Sequence, residues 1–171
     1  PRAPQGEAWE RAVAEWRALR SDDNATFDRS VDLDADMLEP MITYGTNPGM
    51  VVPISGHIPQ RTNDEVFDKA LTYMGFSAGD AIRDKPVNVV FIGSCTNARL
   101  SDLRQAADVL RGHRVARGVR MLVVPGSQDV KRAAEAEGLD RVFRDAGADW
   151  RESGCSMCIG MNGDTVGRGE Y

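Results

Sequence analysis

The chain has 171 residues, a net charge of −5 at pH 7, and 42% hydrophobic against 27% charged residues. These are values of a globular chain that folds without covalent cross-links, and the acidic balance argues against a nucleic-acid partner. No apolar run is long enough to span a membrane, which argues against a membrane partner. The three cysteines are an odd number without a secretion signal, so a reducing, cytoplasmic location is expected.

Residues 1–60 are predicted to be a partial segment that belongs to a preceding domain. Apolar residues at helical spacing over residues 7–20 predict a helix with two tryptophans on its packing face. The apolar residues of 27–33 indicate one face of a strand, which residues 41–44 continue. Residues 45–59 are rich in glycine and proline, open with a tight turn, and are interpreted as an ordered functional loop or a linker.

Residues 61–171 are predicted to form an α/β domain that is truncated at its C-terminus. A capping box at residues 62–65 predicts the start of a helix. Continuous apolar runs at residues 87–92 and 121–124 predict strands buried on both faces. Further helices are expected at residues 101–110, around Val130 to Ala134, and from Leu139 to Ala146. Strands that alternate with helices across short loops predict a parallel sheet covered by helices.

The three cysteines lie in short polar loops rather than in apolar runs. Cys95 follows the first predicted buried strand by three residues, and Cys155 and Cys158 form a Cys-x-x-Cys pair. In parallel sheets ligands bind beyond the carboxyl ends of the strands, which is where Cys95 is placed. Three thiolates fill one position fewer than a tetrahedral metal offers, so a site built from them keeps a position open for chemistry.

The residues alone leave four kinds of site open. The thiols could be unrelated buried side chains, or Cys155 and Cys158 could form a dithiol redox site. The three thiolates could bind zinc together with His57 or His113. An iron–sulfur cluster held by three thiolates would leave one iron free to act as a Lewis acid on a hydroxy acid, which predicts a hydro-lyase.

Three segments closely resemble the cluster-binding domain of the aconitase superfamily. They are residues 91–100 (Phe-Ile-Gly-Ser-Cys-Thr-Asn-Ala-Arg-Leu), 124–127 (Val-Pro-Gly-Ser) and 154–162 (Gly-Cys-Ser-Met-Cys-Ile-Gly-Met-Asn). Gly-Ser-Cys-Thr-Asn with a distant Cys-x-x-Cys is a very specific combination. Cys-Ser-Met-Cys followed by Gly-Met-Asn, and the Gly-Thr-Asn-Pro-Gly loop at residues 45–49, are similar to the large subunits of the isopropylmalate isomerase branch. The resemblance extends from residue 26 to the end of the chain.

This resemblance implies a three-layer fold, with helices on both faces of the parallel sheet, and a [4Fe-4S] cluster. The implied metal ligands are Cys95, Cys155 and Cys158. The implied loop around the cluster contains Ser94, Thr96 and Asn97, whose hydroxyl and amide groups can form hydrogen bonds to cluster sulfides.

The resemblance also implies a lyase of leucine biosynthesis. This branch isomerises 2-isopropylmalate to 3-isopropylmalate by loss and re-addition of water, with the open iron on the substrate hydroxyl and one carboxylate. The expected partners are a hydroxy dicarboxylic acid substrate and a small subunit that carries the remaining active-site domain. The alternatives are a related cluster hydro-lyase of the homoaconitase or methyl-malate dehydratase type, and a non-catalytic zinc or redox-thiol module.

The chain departs from the family pattern in a few places. Tyr44 stands where the family often has Trp, and Ala98 where it often has Ser or Gly. The arginine-rich segment that follows the Cys-x-x-Cys in the family is not in this sequence, and the catalytic base belongs to the small subunit. Asp102 and Glu152 are interpreted as surface charges. We therefore predict no catalytic residue in this chain and no activity from it alone.

Overall fold

A computed structural model describes residues 3–61, 63–83 and 85–171 and divides the chain into two units. The first unit ends at Glu39, and the second begins at Pro40. The first unit contains α1 (Glu7–Ala18) and a 3-10 helix (Ala35–Met37). The second contains, in chain order, β1 (Met41–Thr43), β2 (Val51–Pro53), α2 (Glu65–Met74), β3 (Val89–Gly93), α3 (Leu100–Leu110), β4 (Arg120–Val124), α4 (Gln128–Ala136), α5 (Leu139–Ala146), β5 (Asp149–Trp150) and a 3-10 helix (Met157–Ile159).

The first unit forms the predicted helix but does not bury its apolar face. None of the described residues of α1 is buried, and Trp9 and Trp16 contact each other edge to face, with ring centroids 5.6 Å apart. The prediction of a strand at residues 27–33 is wrong, since the described part of the chain contains no strand there and Val31 is 72% exposed. A strand is stable only when a neighbour satisfies its backbone hydrogen bonds.

The second unit opens with a small core around a β-hairpin. β1 and β2 are antiparallel, with Ile42 opposite Val52, so residues 45–59 contain a strand that the sequence did not predict. The buried residues of this core are Tyr44, Met50, Val52, Ile58, Phe67, Ala70, Leu71 and Ile82. They come from both sides of residue 60, and the proposed domain division at that residue stays a prediction.

Helix α2 begins later than the predicted capping box. The side chain of Asp64 accepts a hydrogen bond of 3.0 Å from the backbone N–H of Phe67, which makes Asp64 the N-cap. This hydrogen bond also lowers the pKa of the Asp64 carboxyl. Thr62, the first residue of the predicted capping box, lies outside the described residues. The short side chain of Asp64 serves as the cap because its oxygen reaches a backbone N–H of the first turn.

The α/β class and the parallel sheet are confirmed. The strand order is β3–β4–β5, all parallel, with Gly93 opposite Val124 and Val123 opposite Trp150. Leu122, Val123 and Val124 are fully buried, as the continuous apolar run of this strand predicts. β5 has only two residues, too few for the sequence pattern to indicate it.

The main core lies between the sheet and the helices α3, α4 and α5. These helices contact one another and share a core with Met121 and Val123, which point to the same face because strand side chains alternate. Phe143 of α5 stacks on Trp150, with ring centroids 5.6 Å apart. The three helices thus share one face of the sheet, while Leu122 and Val124 are buried on the other. No helix of the described residues is long and apolar enough to cross a membrane.

Candidate metal centre

The first cysteine loop leaves the carboxyl end of β3, and glycine is required where it begins. β3 ends at Gly93, so Cys95 lies two residues beyond the strand. Gly93 has φ 134°, and a Cβ at this position would overlap the carbonyl oxygen of Val124 on the neighbouring strand. No side chain fits between the ends of β3 and β4, so only glycine allows the chain to turn out of the sheet here.

The buried Ser94 side chain closes the Cys95 loop through hydrogen bonds within it. The Ser94 hydroxyl lies 3.1 Å from that of Thr96 and accepts a hydrogen bond of 3.3 Å from the backbone N–H of Asn97. Ser94 is 8% exposed, while Cys95, Thr96 and Asn97 are exposed. The buried hydroxyl therefore holds the turn together, and the Cys95 thiol remains at the surface.

The turn after β4 supports this loop. Gly126 donates its N–H to the carbonyl of Ala98 over 3.1 Å, and a Cβ on Gly126 would lie 2.9 Å from that oxygen. Ser127, the next residue, caps α4 by accepting a hydrogen bond of 3.2 Å from the N–H of Val130. The residues 125–127 thus contact the Cys95 loop on one side and start a helix on the other.

Helix α3 begins directly after the Cys95 loop. The Asp102 carboxylate accepts a hydrogen bond of 3.0 Å from the backbone N–H of Arg99. This contact occupies Asp102 in the first turn, where a negative charge stabilises a helix. The geometry agrees with the interpretation of Asp102 as a structural surface charge.

The second cysteine loop follows β5 and folds into a 3-10 helix. Cys155 and Cys158 are exposed, while Ser156 between them is 3% exposed. The Asn162 side chain donates a hydrogen bond of 2.8 Å to the carbonyl of Cys155. The backbone N–H of Met161 donates one of 3.1 Å to the carbonyl of Ser156. These bonds fold the segment back on itself, so the two thiols lie on the outside of a closed turn.

An ionic cluster joins α4 to the start of this loop. The Lys131 ammonium lies 2.6 Å from the Glu152 carboxylate and 3.2 Å from that of Glu135. The Glu135 carboxylate also accepts a hydrogen bond of 3.0 Å from the Trp150 indole N–H. The hydrogen bond from Lys131 lowers the pKa of Glu152, and the one from Trp150 is the main cause that lowers the pKa of Glu135. The bond to Glu152 raises the pKa of Lys131. Glu152 is thus held as a charged ion-pair partner, which agrees with its interpretation as a surface charge.

The topology brings both cysteine loops to one edge of the sheet. β3 and β5 are both parallel to β4, so the segments that follow them leave at the same carboxyl edge. All three cysteines are free and exposed, so the interpretation as unrelated buried thiols is wrong.

The three cysteine thiols do not converge on a common centre in this structure. Among the described residues, no three Cys, His, Asp or Glu side chains lie close enough to hold one metal ion. His57 is exposed and pairs its backbone with Ala81, and His113 lies exposed in the turn after α3. In the part of the chain that the structure describes, neither a zinc site closed by one of these histidines nor a site of the three thiols alone is assembled in this geometry. The donor set itself, three exposed thiols at one sheet edge, fits a cluster that three thiolates hold.

The whole chain, residues 1–171, matches the aconitase family (aconitate hydratase). The chain belongs to the aconitase family. It is similar to proteins named 3-isopropylmalate dehydratase large subunit, with 58% identity in Roseiflexus castenholzii, 56% in Solibacter usitatus and 55% in Anaeromyxobacter dehalogenans. Each match covers 100% of this chain and 36–38% of the relative. The chain therefore spans little more than a third of the length of these relatives.

Membership of the aconitase family supports the expectation of an iron–sulfur cluster and of the α/β fold. The structure adds two residues that sequence reasoning missed, Arg151 and Asp164. The Asp164 carboxylate accepts hydrogen bonds from Arg151 and from Ser156 of the Cys155 loop, and Asp164 is 4% exposed. No periodic pattern precedes Asp164, which follows Gly163 in a turn, so only the contact itself reveals its part in the loop.

Proposed function

We propose that this chain is the cluster-binding part of a hydro-lyase of the 3-isopropylmalate dehydratase type. The observation that carries this proposal is the arrival of two cysteine loops at one carboxyl edge of a parallel sheet, with three exposed free thiols between them. The 55–58% identity over the whole chain to large subunits of that name supports it. The proposed ligands of the [4Fe-4S] cluster are Cys95, Cys155 and Cys158.

The residues of the chain have distinct parts in this proposal. When bound, the cluster supplies a Lewis acid for the hydroxyl and one carboxylate of the substrate. In this proposal the exposed Thr96 and Asn97 side chains donate hydrogen bonds to cluster sulfides, while buried Ser94 keeps the loop closed. The start of α3 adds a modest positive potential, which favours an anionic substrate near the loop.

The substrate and the partner belong to the proposal for the longer protein. The proposed reaction interconverts 2-isopropylmalate and 3-isopropylmalate through loss and re-addition of water, in the leucine pathway and in a reducing cytoplasm. Because the relatives are named large subunits, a small subunit is proposed to supply the base and the rest of the active site. Asp102 and Glu152 are engaged in a helix cap and an ion pair, so neither is proposed as a base.

Anaerobic reconstitution with iron and sulfide tests the site. The chain is expected to gain broad visible absorbance and about four irons with about four sulfides. Cys95→Ser, Cys155→Ser and Cys158→Ser should each reduce loading strongly, whereas Ser101→Ala, a matched polar change beside the loop, should not. One zinc per chain without a chromophore, or normal loading in Cys95→Ser, would contradict the proposal.

Activity assays separate the proposed substrate from its alternatives. The large subunit that contains this chain, combined with its small subunit, is expected to hydrate 2-isopropylmaleate. The chain alone is expected to show no turnover, because we propose that the base and the carboxylate-binding groups belong to other parts of the enzyme. A clear preference for homoaconitate or methyl-substituted maleate would identify a related hydro-lyase. Turnover by the chain alone at a normal enzyme rate would overturn the predicted division of the active site.

A further inference from the structure

Behind the Cys155–Cys158 turn lies a buried polar contact that the proposed ligand set does not use. Asp164 and Ser156 are 4% and 3% exposed, and the Ser156 hydroxyl donates a hydrogen bond of 2.7 Å to the Asp164 carboxylate. The other carboxylate oxygen of Asp164 accepts from the guanidinium of Arg151. We call these three residues the Asp164 bridge.

The Asp164 bridge connects the turn to the sheet. The backbone N–H of Arg151 donates a hydrogen bond of 2.9 Å to the carbonyl of Val123, which is fully buried in strand β4. Arg151 is thus fixed at its backbone by the sheet and at its side chain by Asp164. Ser156 stands at the far end of this chain of contacts, directly between the two cysteines.

Through Ser156, the Asp164 bridge affects the positions of the Cys155 and Cys158 thiols. Ser156 is the N-cap of the 3-10 helix Met157–Ile159, and its carbonyl accepts the N–H groups of Ile159 and Met161 over 3.2 and 3.1 Å. A shift of Ser156 therefore moves Cys155 on one side and Cys158 on the other. A buried carboxylate with two partners resists such a shift, because loss of either partner leaves a desolvated group unpaired.

We propose that Asp164 is a positioning residue for the Cys155–Cys158 pair: through Ser156 and Arg151 it holds the two thiols apart and accessible. This role of Asp164 deepens the proposed function. It rests on that function only because Cys155 and Cys158 are taken to be cluster ligands. Two thiolates that bind different irons cannot be bonded to each other. A bridge that holds the thiols apart thus opposes a Cys155–Cys158 disulfide and favours loading.

The metal-free chain gives a direct measurement of this effect. In a Cys95→Ser background, glutathione disulfide converts the two thiols of Cys155 and Cys158 into one disulfide and releases two reduced glutathiones. Trapping with an alkylating agent and mass spectrometry then gives the equilibrium constant. Asp164→Asn is expected to shift it towards the disulfide by roughly tenfold, the size of one lost charge-assisted hydrogen bond. Asp140→Asn, a matched loss of charge at the ion pair with Arg144, should shift it less than about twofold.

Coupling between the two bridge residues separates positioning from general destabilisation. Ser156→Ala is expected to shift the disulfide equilibrium in the same direction, and Asp164→Asn combined with Ser156→Ala should add little to either single change. Additive shifts, or shifts that match a fall in the unfolding midpoint, would show that the residues merely stabilise the fold. If Asp164→Asn does not fold, the milder Ser156→Ala decides the question: its shift in the disulfide equilibrium is compared with the change in its own unfolding midpoint.

Reconstitution in the presence of Cys95 completes the test. Asp164→Asn is expected to need several times more iron and sulfide for half-maximal loading, while Asp140→Asn loads as the original chain does. An unchanged thiol equilibrium would overturn the positioning role even if the cluster forms. A shifted equilibrium in a chain that never takes up iron would support the bridge and overturn the proposed function instead.

Discussion

The two cysteine loops leave the same sheet edge but are held in different ways. The Cys95 loop is fixed by backbone contacts, through the close approach of Gly93 to Val124 and of Gly126 to Ala98. The Cys155 loop follows a two-residue strand and depends on side chains, above all the Asp164 bridge and the Lys131 ion pairs. The first loop therefore depends on two close backbone approaches and the buried Ser94 hydroxyl, and the second on charged side chains that must find their partners.

The largest effect is expected where the first loop leaves β3. Gly93→Ala adds a Cβ that meets the Val124 carbonyl at a positive φ, and it should destabilise the chain by about 3 kcal/mol or more. Gly118→Ala is the matched control, since Gly118 also has a positive φ but has no atom within 4 Å of the added Cβ. It should cost only about 1–2 kcal/mol. Equal losses in urea unfolding would show that the close approach of the two strands is unimportant.

A smaller loss is expected at the support beneath the first loop. Gly126→Ala places a Cβ 2.9 Å from the Ala98 carbonyl, and the required shift should cost about 1–3 kcal/mol. The alkylation rate of Cys95 should change more than that of Cys158. A change in the alkylation rate of Cys158 alone would contradict the view that Gly126 supports only the Cys95 loop.

Helix α4 is the element that both loops share, and replacing its N-cap residue, Ser127, tests its contribution to stability. Ser127→Ala removes the acceptor for the Val130 N–H and should cost about 1 kcal/mol, whereas Ser127→Asp should retain most of the stability. Thermal unfolding measures both. Equal losses in the two variants would indicate that Ser127 acts through packing and not as a cap.

The smallest effect concerns pH and should be confined to the second loop. Glu135 and Glu152 have pKa values below the ordinary 4.5, so their contribution is complete above that value and is lost as the pH falls below it. After correction for the pH dependence of intrinsic exchange, the protection of residues 150–164 should therefore fall on acidification more than that of residues 93–99. The double variant Glu135→Gln and Glu152→Gln should remove most of this difference. An equal response of both segments in the original chain would contradict an ionic attachment of the second loop.

The parts of the site that sequence predicts are those with local signals. The buried strands are indicated by uninterrupted apolar runs, and the loop of Cys95 by its position after one of them. Asp164 could not be found in this way, because its contacts with Arg151 and Ser156 span 13 and 8 residues and follow no period. The strand predicted at residues 27–33 failed for the converse reason, since an apolar pattern does not supply the neighbour that a strand needs.

The stacking of Trp150 on Phe143 gives the site an optical reporter. Trp150 is partly buried and lies five residues before Cys155, whereas Trp9 and Trp16 are 43% and 50% exposed in the other unit. Replacing both of those by phenylalanine leaves one indole, whose emission comes from beside the second cysteine loop alone. A visible-absorbing group on that loop would quench this fluorescence, so occupancy could be followed in dilute solution without measuring turnover.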